Sequence, residues 1–414
     1  MNTGPAHDNA ALDSLRERLS QLKHADEPAL VTDLLAASSL GEAERSAVQD
    51  RAVELVEACR KRSDEAGTLD AFLQEFGLSN GEGIALMCLA EALLRVPDDE
   101  TADRLIAEKI HSGDWGAHKG RSASRFVNAS VWGLMLTGRI VRLDNAITDR
   151  TASWVRELAS TLGEPVVRRA VLQAMKIMGG QYVLGRQISE ALRRGREDNR
   201  PGTRFSFDML GEGARTDDDA TRYFAAYADA ISVIAGAKSP GAGAAADSIS
   251  VKLSALHPRY ELRQRARVHD ELLPRVKALA LQAREGGIGF SIDAEECDRL
   301  DLSLEIFEAL ALDPALADWE GLGFVLQAYQ KRALAACDWL VALARFAGRR
   351  LCVRLVKGAY WDGEIKHAQE QGLDDYPVYT RKCHTDLSYE LCAARLLAAP
   401  DAIYPQFATH NAHT

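Results

Sequence analysis

Residues 351–361 read "LCVRLVKGAYW". An apolar, partly β-branched run carries Arg354 and Lys357 towards its far end, then breaks at Gly358 and Ala359 ahead of two aromatic residues. Such a run, bounded by a glycine, reads as a strand that delivers polar groups at its C-terminal end. The same grammar recurs in "FSFDML" (205–210), "SISVKLSAL" (248–256), "GFSIDAEE" (289–296), "GFVLQAYQ" (323–330) and "YPQFATHN" (404–411). Helical periods such as "DDDATRYFAAYADAISVIAG" and "KRALAACDWLVALARFAGRR" separate these runs. Strands alternating with helices imply βαβ units and a parallel sheet.

A closed barrel and an open doubly wound sheet both fit that alternation, and the position of the polar residues separates them. Asp208, Lys252, Asp293, Gln327, Arg354, Lys357, Thr409 and His410 fall in or at the C-terminal ends of successive strands. A barrel gathers those ends onto one face, where barrel enzymes carry their chemistry. A doubly wound sheet would instead place a Gly-rich phosphate loop after its first strand, and "MLGEGAR" is not G-x-G-x-x-G. The predicted class is α/β, a (β/α)8 TIM-type barrel with about six of its eight strands present.

Before the barrel the pattern is helical. "DSLRERLSQL", "ERSAVQDRAVELVEACRKR" and "GEGIALMCLAEALLRV" repeat apolar residues at i, i+3, i+4 and i+7. The expected organisation is a disordered N-terminus (1–10), an all-helical arm and linker domain (11–200) and the barrel (201–414), with the change of grammar at Arg200-Pro201-Gly202. The chain has 414 residues, is 47% hydrophobic and 27% charged, and carries a formal net charge of −10, an ordinary globular composition. That acidic balance argues against a nucleic-acid-binding surface, which needs clustered Lys and Arg. The seven cysteines show no C-x-x-C pair, and no apolar run is long enough to span a bilayer. Reduced thiols and a cytoplasmic protein are the expectation.

Among the strand ends, Lys252 sits in an apolar strand, so its ammonium must meet a partner inside the barrel mouth. Two roles stay open: an anion clamp for a substrate carboxylate, or a Schiff-base nucleophile with a depressed pKa. Asp293, one strand over, would keep Lys252 charged and favour the clamp. Arg354 and Lys357, with small Gly358 and Ala359 and aromatic Tyr360 and Trp361, suit a large, planar, anionic ligand. Gln327 adds an amide able to read a heterocycle edge. Thr380, Arg381 and Lys382 stand near a helix start, where hydroxyls, cations and free N–H groups hold phosphate. Thr409, His410 and Asn411 follow the last strand; with no carboxylate nearby and no H-E-x-x-H, a metal is not expected there.

Taken together, "LQEFGLSNGEGIALMCLAEALLRVPD", "FSFDMLGEGA", "VKLSALHPRYE", "SIDAEECDRL", "GFVLQAYQKR", "VRLVKGAYWDGEIKHAQ", "GLDDYPVYTRK" and "IYPQFATHNAHT" resemble the proline dehydrogenase part of bacterial proline utilization A. The resemblance runs from about residue 70 to the last residue. It implies an FAD enzyme that oxidises L-proline to 1-pyrroline-5-carboxylate by hydride transfer to flavin N5, the first step of proline catabolism to glutamate, and passes electrons to a membrane quinone. It further implies Arg354 beside N5 and Gln327 on the isoalloxazine. Ala294, Lys357, Gly358, Ala359, Trp361, Thr380, Lys382, Thr409, His410 and Asn411 would lie along the cofactor, with Lys252 on the proline carboxylate and Asp293 on the substrate side. Peripheral membrane association during turnover and homo-oligomerisation of a longer parent belong to the same expectation. Two departures stand out. No ribbon-helix-helix DNA-binding domain is visible, and the family's last two strands, its arginine-bearing final helix and its aldehyde dehydrogenase should follow "THNAHT". The competing expectation is therefore a catalytically incompetent piece with a structural or assembly role.

Overall fold

A computed structural model of the chain describes residues 9–38, 40–63, 183–197, 202–209, 213–237, 246–409, 411 and 414. Helices α1 (Asn9–Leu22), α2 (Glu27–Ala37), α3 (Glu42–Ser63) and α4 (Ile188–Glu197) precede the sheet. The alternating part follows as β1 (Ser206–Asp208), α5 (Asp217–Gly236), β2 (Ser248–Val251), α6 (Leu273–Glu285), β3 (Gly289–Ile292), α7 (Leu300–Ala311) and β4 (Leu322–Gln327). It continues with α8 (Ala333–Phe346), β5 (Leu351–Val356), α9 (Trp361–Glu370), α10 (Lys382–Leu397) and β6 (Ile403–Phe407). The strands form one six-stranded sheet in the order β1-β2-β3-β4-β5-β6, every neighbouring pair parallel. A doubly wound sheet reverses its order at a switch point; this one never does, which is the winding of a TIM-type barrel.

Local chemistry explains the alternation. Helix α5 opens on a capping box, with the Thr216 hydroxyl accepting from Asp219 N–H while the Asp219 carboxylate accepts from Thr216 N–H, and three aspartates occupy its first turn. Helix α6 runs into Gly286-Gly287, where Gly287 adopts φ +68° and Ile288 N–H donates to the Ala283 carbonyl, turning the chain straight into β3. Strands β3 and β4 are buried at every position, as parallel strands covered on both faces must be.

Several expected boundaries shift. The predicted strand 248–256 ends at Val251, because Leu253–Leu256 winds into a helical turn whose Ser254 N–H is taken by the Glu295 carboxylate rather than by a neighbouring strand. Among the described residues, the runs 205–210, 289–296 and 404–411 likewise pair over 206–208, 289–292 and 403–407. Asn9 and Ala10 are helical rather than disordered, while the first eight residues lie outside the described ones.

The contacts divide the chain into two units. By contacts, Met1–Gln49 group with Gly195–Ala412 and Thr414 as one compact unit, and Asp50–Arg194 with His413 as a second. Helices α1 and α2 thus group by contacts with the barrel strands. Arg16 of α1 shows why: its guanidinium lies 4.2 Å over the Trp339 ring of α8 and pairs with Glu308 of α7 at 2.9 Å. Leu34 of α2 packs with Tyr379 and Leu391 in a buried apolar cluster. The helical expectation for 64–182 lies outside the described residues.

Candidate active site

The parallel register sets the site. Asp208 is paired with Ser250, Ser250 with Ser291, and Val325 with Arg354, which in turn pairs with Gln406. Side chains alternate along a strand, so Ser206 and Asp208, Ser250 and Lys252, Ser291 and Asp293 project to a shared face. On that face the Lys252 ammonium donates to Asp208 Oδ1 at 2.6 Å and to Asp293 Oδ2 at 3.0 Å. Arg354 approaches the other Asp293 oxygen at 3.6 Å. Its guanidinium also donates to the Ser250 hydroxyl at 3.0 Å, to the Gln406 amide oxygen at 3.3 Å and to the Ser206 hydroxyl. The result is an alternating array of two carboxylates and two cations from the ends of four strands, which the Gln406 amide extends to a fifth.

Electrostatics keep Lys252 charged. Burial by itself would lower the Lys252 pKa, but Asp293 and Asp208 outweigh it and raise the ammonium above its ordinary value. Burial raises the Asp293 carboxyl, and the neighbouring Asp208 charge adds to that, against the pull of Lys252 and Arg354. Lys252 N–H also meets the Tyr227 hydroxyl of α5 at 3.3 Å, and burial pushes that phenol's pKa up, so it stays neutral. A Schiff-base nucleophile needs a neutral amine. The two carboxylates deny Lys252 that state.

Above β4 and β5 lies a second group. Gln327 is buried and bridges two loops: its amide donates to the Glu295 carbonyl at 2.8 Å, and its oxygen accepts from Ala359 N–H at 3.1 Å. Gly358 has φ +150°, and a Cβ there would lie 2.4 Å from the Tyr329 ring, so only glycine lets the loop pass. Lys357 and Lys382 converge on opposite oxygens of Asp386, at 2.7 and 2.6 Å. Burial would raise the Asp386 carboxyl, yet the two ammonium groups hold it below the usual range. The Trp361 indole donates to the Tyr379 carbonyl at 2.9 Å and leaves its ring 41% exposed. Thr380, Lys382, Thr409 and Asn411 are exposed, and Thr409 accepts from Asn411 N–H in a local turn at 3.0 Å. Ala294 is half-buried just past β3, and His410 lies outside the described residues.

The structure thus joins Lys252, Asp293 and Arg354 directly, and places Gln327 and Ala359 in one hydrogen bond. It also supplies partners that the sequence reading left out of the site. Asp208 stood only as a strand end, and Ser206, Ser250 and Gln406 were passed over. Their signal was the two-residue alternation that puts them in phase with the charged residues. Glu295, Asp386 and Tyr227 had no comparable signal. Among the described residues, no group of three or more His, Cys, Asp or Glu side chains is placed to hold a metal.

Comparison with known proteins bears on the whole arrangement. A family model described as proline dehydrogenase matches residues 191–414, the barrel and its approach. A model described as the proline utilization A proline dehydrogenase N-terminal domain matches residues 13–60. One described as the DNA-binding domain of proline dehydrogenase matches residues 68–182, against the expectation that no DNA-binding segment is visible; those residues lie outside the described ones. The bifunctional protein PutA of Klebsiella aerogenes is 53% identical over 367 residues, covering 88% of this chain and 28% of that protein. Its Rhizobium meliloti counterpart is 49% identical over 403 residues, covering 97% and 32%. A crystal structure of a Bradyrhizobium japonicum proline utilization A mutant superposes with a TM-score of 0.68 at 49% identity, covering 94% of this chain and 39% of that one. The chain therefore spans about a third of the length of the relatives it matches.

Proposed function

Because this chain belongs to the proline dehydrogenase family, we propose that its strand-end array binds L-proline beside FAD and oxidises it to 1-pyrroline-5-carboxylate. The observation that carries this reading is Lys252, held protonated between Asp208 and Asp293 at the C-terminal end of a parallel sheet. An ammonium so fixed is a clamp for the carboxylate of an amino acid, because a charge-assisted bond to it is short and directional. The flanking aspartates attract the cationic ring nitrogen of the same substrate, so one array recognises both ends of a zwitterion.

The residues along β4, β5 and α10 fit FAD by their donor set. Arg354, Lys357 and Lys382 are cations suited to an electron-rich ring system and a pyrophosphate, Gln327 is an amide at the loop between them, and Trp361 offers an exposed aromatic face. Ala294, Gly358, Ala359, Thr380, Thr409, His410 and Asn411 complete the proposed contacts. Bound FAD would supply the acceptor for the hydride that leaves the proline carbon beside nitrogen, after the ring nitrogen has released its extra proton so that its lone pair can form the C=N bond. Arg354 contributes a fixed positive charge where negative charge accumulates on reduction. Lys252 orients the substrate, and the burial of Asp293 and Lys252 strengthens both contacts by excluding water. Electron delivery to a membrane quinone, with peripheral membrane association of a cytoplasmic protein, extends the proposal on the strength of the family resemblance. Among the described residues no helix is long and apolar enough to cross a membrane.

The test is direct. Purified protein loaded with FAD should lose its flavin absorbance when L-proline is added under anaerobic conditions. Lys252→Met, which preserves the aliphatic stem, should lower kcat/KM for proline by about 100-fold, mostly through KM, since a buried charge-assisted contact is lost. A flavin that stays oxidised in excess proline overturns the proposal and leaves the structural reading of this chain.

A further inference from the structure

The strip 375–384, which carries Thr380 and Lys382, does not hold itself in place. From one side the segment after β4 grips it: Lys331 N–H donates to the Pro377 carbonyl at 3.1 Å and Tyr379 N–H to the Tyr329 carbonyl at 2.9 Å. From the other side it meets the turn between α1 and α2. There the Glu27 carboxylate, 6% exposed, accepts the Thr380 N–H with both oxygens at 3.0 Å and pairs with His384 Nδ1 at 2.5 Å. The buried Lys331 ammonium closes the junction, donating to the Ala25 carbonyl at 2.7 Å and pairing with Asp375 at 2.8 Å.

Glu27 is itself fixed. Asp26 caps α2 by accepting Ala29 N–H at 2.9 Å, and Pro28 follows in the first turn, so the Glu27 backbone has a set direction. A buried carboxylate is costly unless it is fully bonded. Here its bonds are spent on a backbone N–H and a ring of a segment 353 and 357 residues away. Arg16 and Leu34 already dock the helix pair on the barrel through Trp339, Glu308, Tyr379 and Leu391. Docking does not require Glu27; the conformation of Thr380 does.

We infer that Glu27 is a positioning residue, whose carboxylate sets the Thr380–Lys382 strip in the geometry that holds the phosphate-bearing part of FAD. This rests on the reading of Thr380 and Lys382 as cofactor contacts. With Thr380 N–H tied back and His384 drawn towards Glu27, the strip presents the Thr380 hydroxyl and Lys382 ammonium on its exposed side. Without the carboxylate the strip is free to rotate, and binding must order it again at the cost of affinity.

The experiment measures FAD dissociation constants of the apo-protein by quenching of flavin fluorescence, with melting temperature of the apo-protein as a control on folding. Glu27→Ala should weaken FAD binding about tenfold, the loss of roughly one charge-assisted contact, with KM for proline unchanged once FAD is saturating. Glu27→Gln, which has the same shape and retains one acceptor for Thr380 N–H, should fall between, about threefold, and carries the same test if the alanine variant does not fold. Arg16→Met loosens docking without touching the strip and should leave FAD affinity within about twofold, because Arg16 meets Trp339 and Glu308 rather than the strip. Wild-type affinity in both Glu27 variants, or an equal loss in Arg16→Met, overturns the inference while the proposed function stands. A wild-type protein that binds no FAD overturns both.

Discussion

At the scale of single residues, the site is governed by how charges are paired when they leave water. Lys252 is only 8% exposed in its side chain, and a lone ammonium there would be expensive. Two carboxylates within 3.0 Å make it tolerable, and Arg354, 3.6 Å from Asp293, brings the array to charge balance. Gly358 illustrates a different constraint. Its φ of +150° and the Tyr329 ring 2.4 Å from its missing Cβ make any side chain there both strained and overpacked. Gly358→Ala should therefore destabilise the protein by about 3 kcal/mol, read as a lower denaturant midpoint, and should weaken flavin binding because Ala359 N–H would leave Gln327. A variant with unchanged midpoint would show that the loop gives way easily. The adjacency of Gly358 to the cations was legible in "RLVKGAYW", but Tyr329 as the wall behind it was not.

At the scale of elements, helices are held on the sheet by a few specific anchors. Leu34 of α2 is 3% exposed and shares its cluster with Tyr379 and Leu391. Leu34→Ala should cost about 2–4 kcal/mol in unfolding free energy, since the surrounding side chains come from separate elements and cannot all collapse into the gap. The segment leading into α6 has an electrostatic anchor instead. Glu271 accepts two bonds from Arg267, at 2.8 and 3.0 Å, and meets His257 at 3.1 Å, which together bring its pKa from 4.5 down to about 2. A carboxylate with a depressed folded-state pKa stabilises above its unfolded value and loses that contribution as pH falls through the folded one. The difference in denaturant midpoint between wild type and Glu271→Gln should thus be full above about pH 4.5 and vanish near about pH 2. A gap that persists unchanged at the acid end would refute this anchor.

At the scale of the molecule, the first forty or so residues are part of the barrel unit. Arg16, Leu34, Ala25 and Glu27 cover Trp339, Tyr379, Leu391 and the buried Lys331. Removing residues 1–40 should expose that apolar seam and take the Ala25 carbonyl from the Lys331 ammonium, which keeps Asp375, a loss of about 1.5–3 kcal/mol from that bond alone. The expected readouts are a lower melting temperature and increased binding of a hydrophobic dye; a truncated chain that melts with the wild type would place these helices outside the folding unit. The pairing of successive strands, all parallel and without reversal, is the other property of this scale. It brings residues from five strands into one array although neighbouring members are 41 to 61 positions apart in sequence.

What the sequence by itself determined was everything carried by local period and composition: the strand–helix alternation, the polar residues at strand ends, the helical character of α1 to α4, and hence the barrel class. Those signals survive because a strand or helix is patterned by its own neighbours. Only the tertiary structure decided which strand ends meet, that Asp208 shares Lys252 with Asp293, and that Glu27 reaches Thr380. Such pairings depend on register and on the packing of elements far apart in the chain, and a single sequence carries no local mark of either. The grouping of α1 and α2 with the barrel has the same origin: helical grammar runs unbroken past Gln49, while the contacts that draw these helices to the barrel are made with α7, α8 and α10.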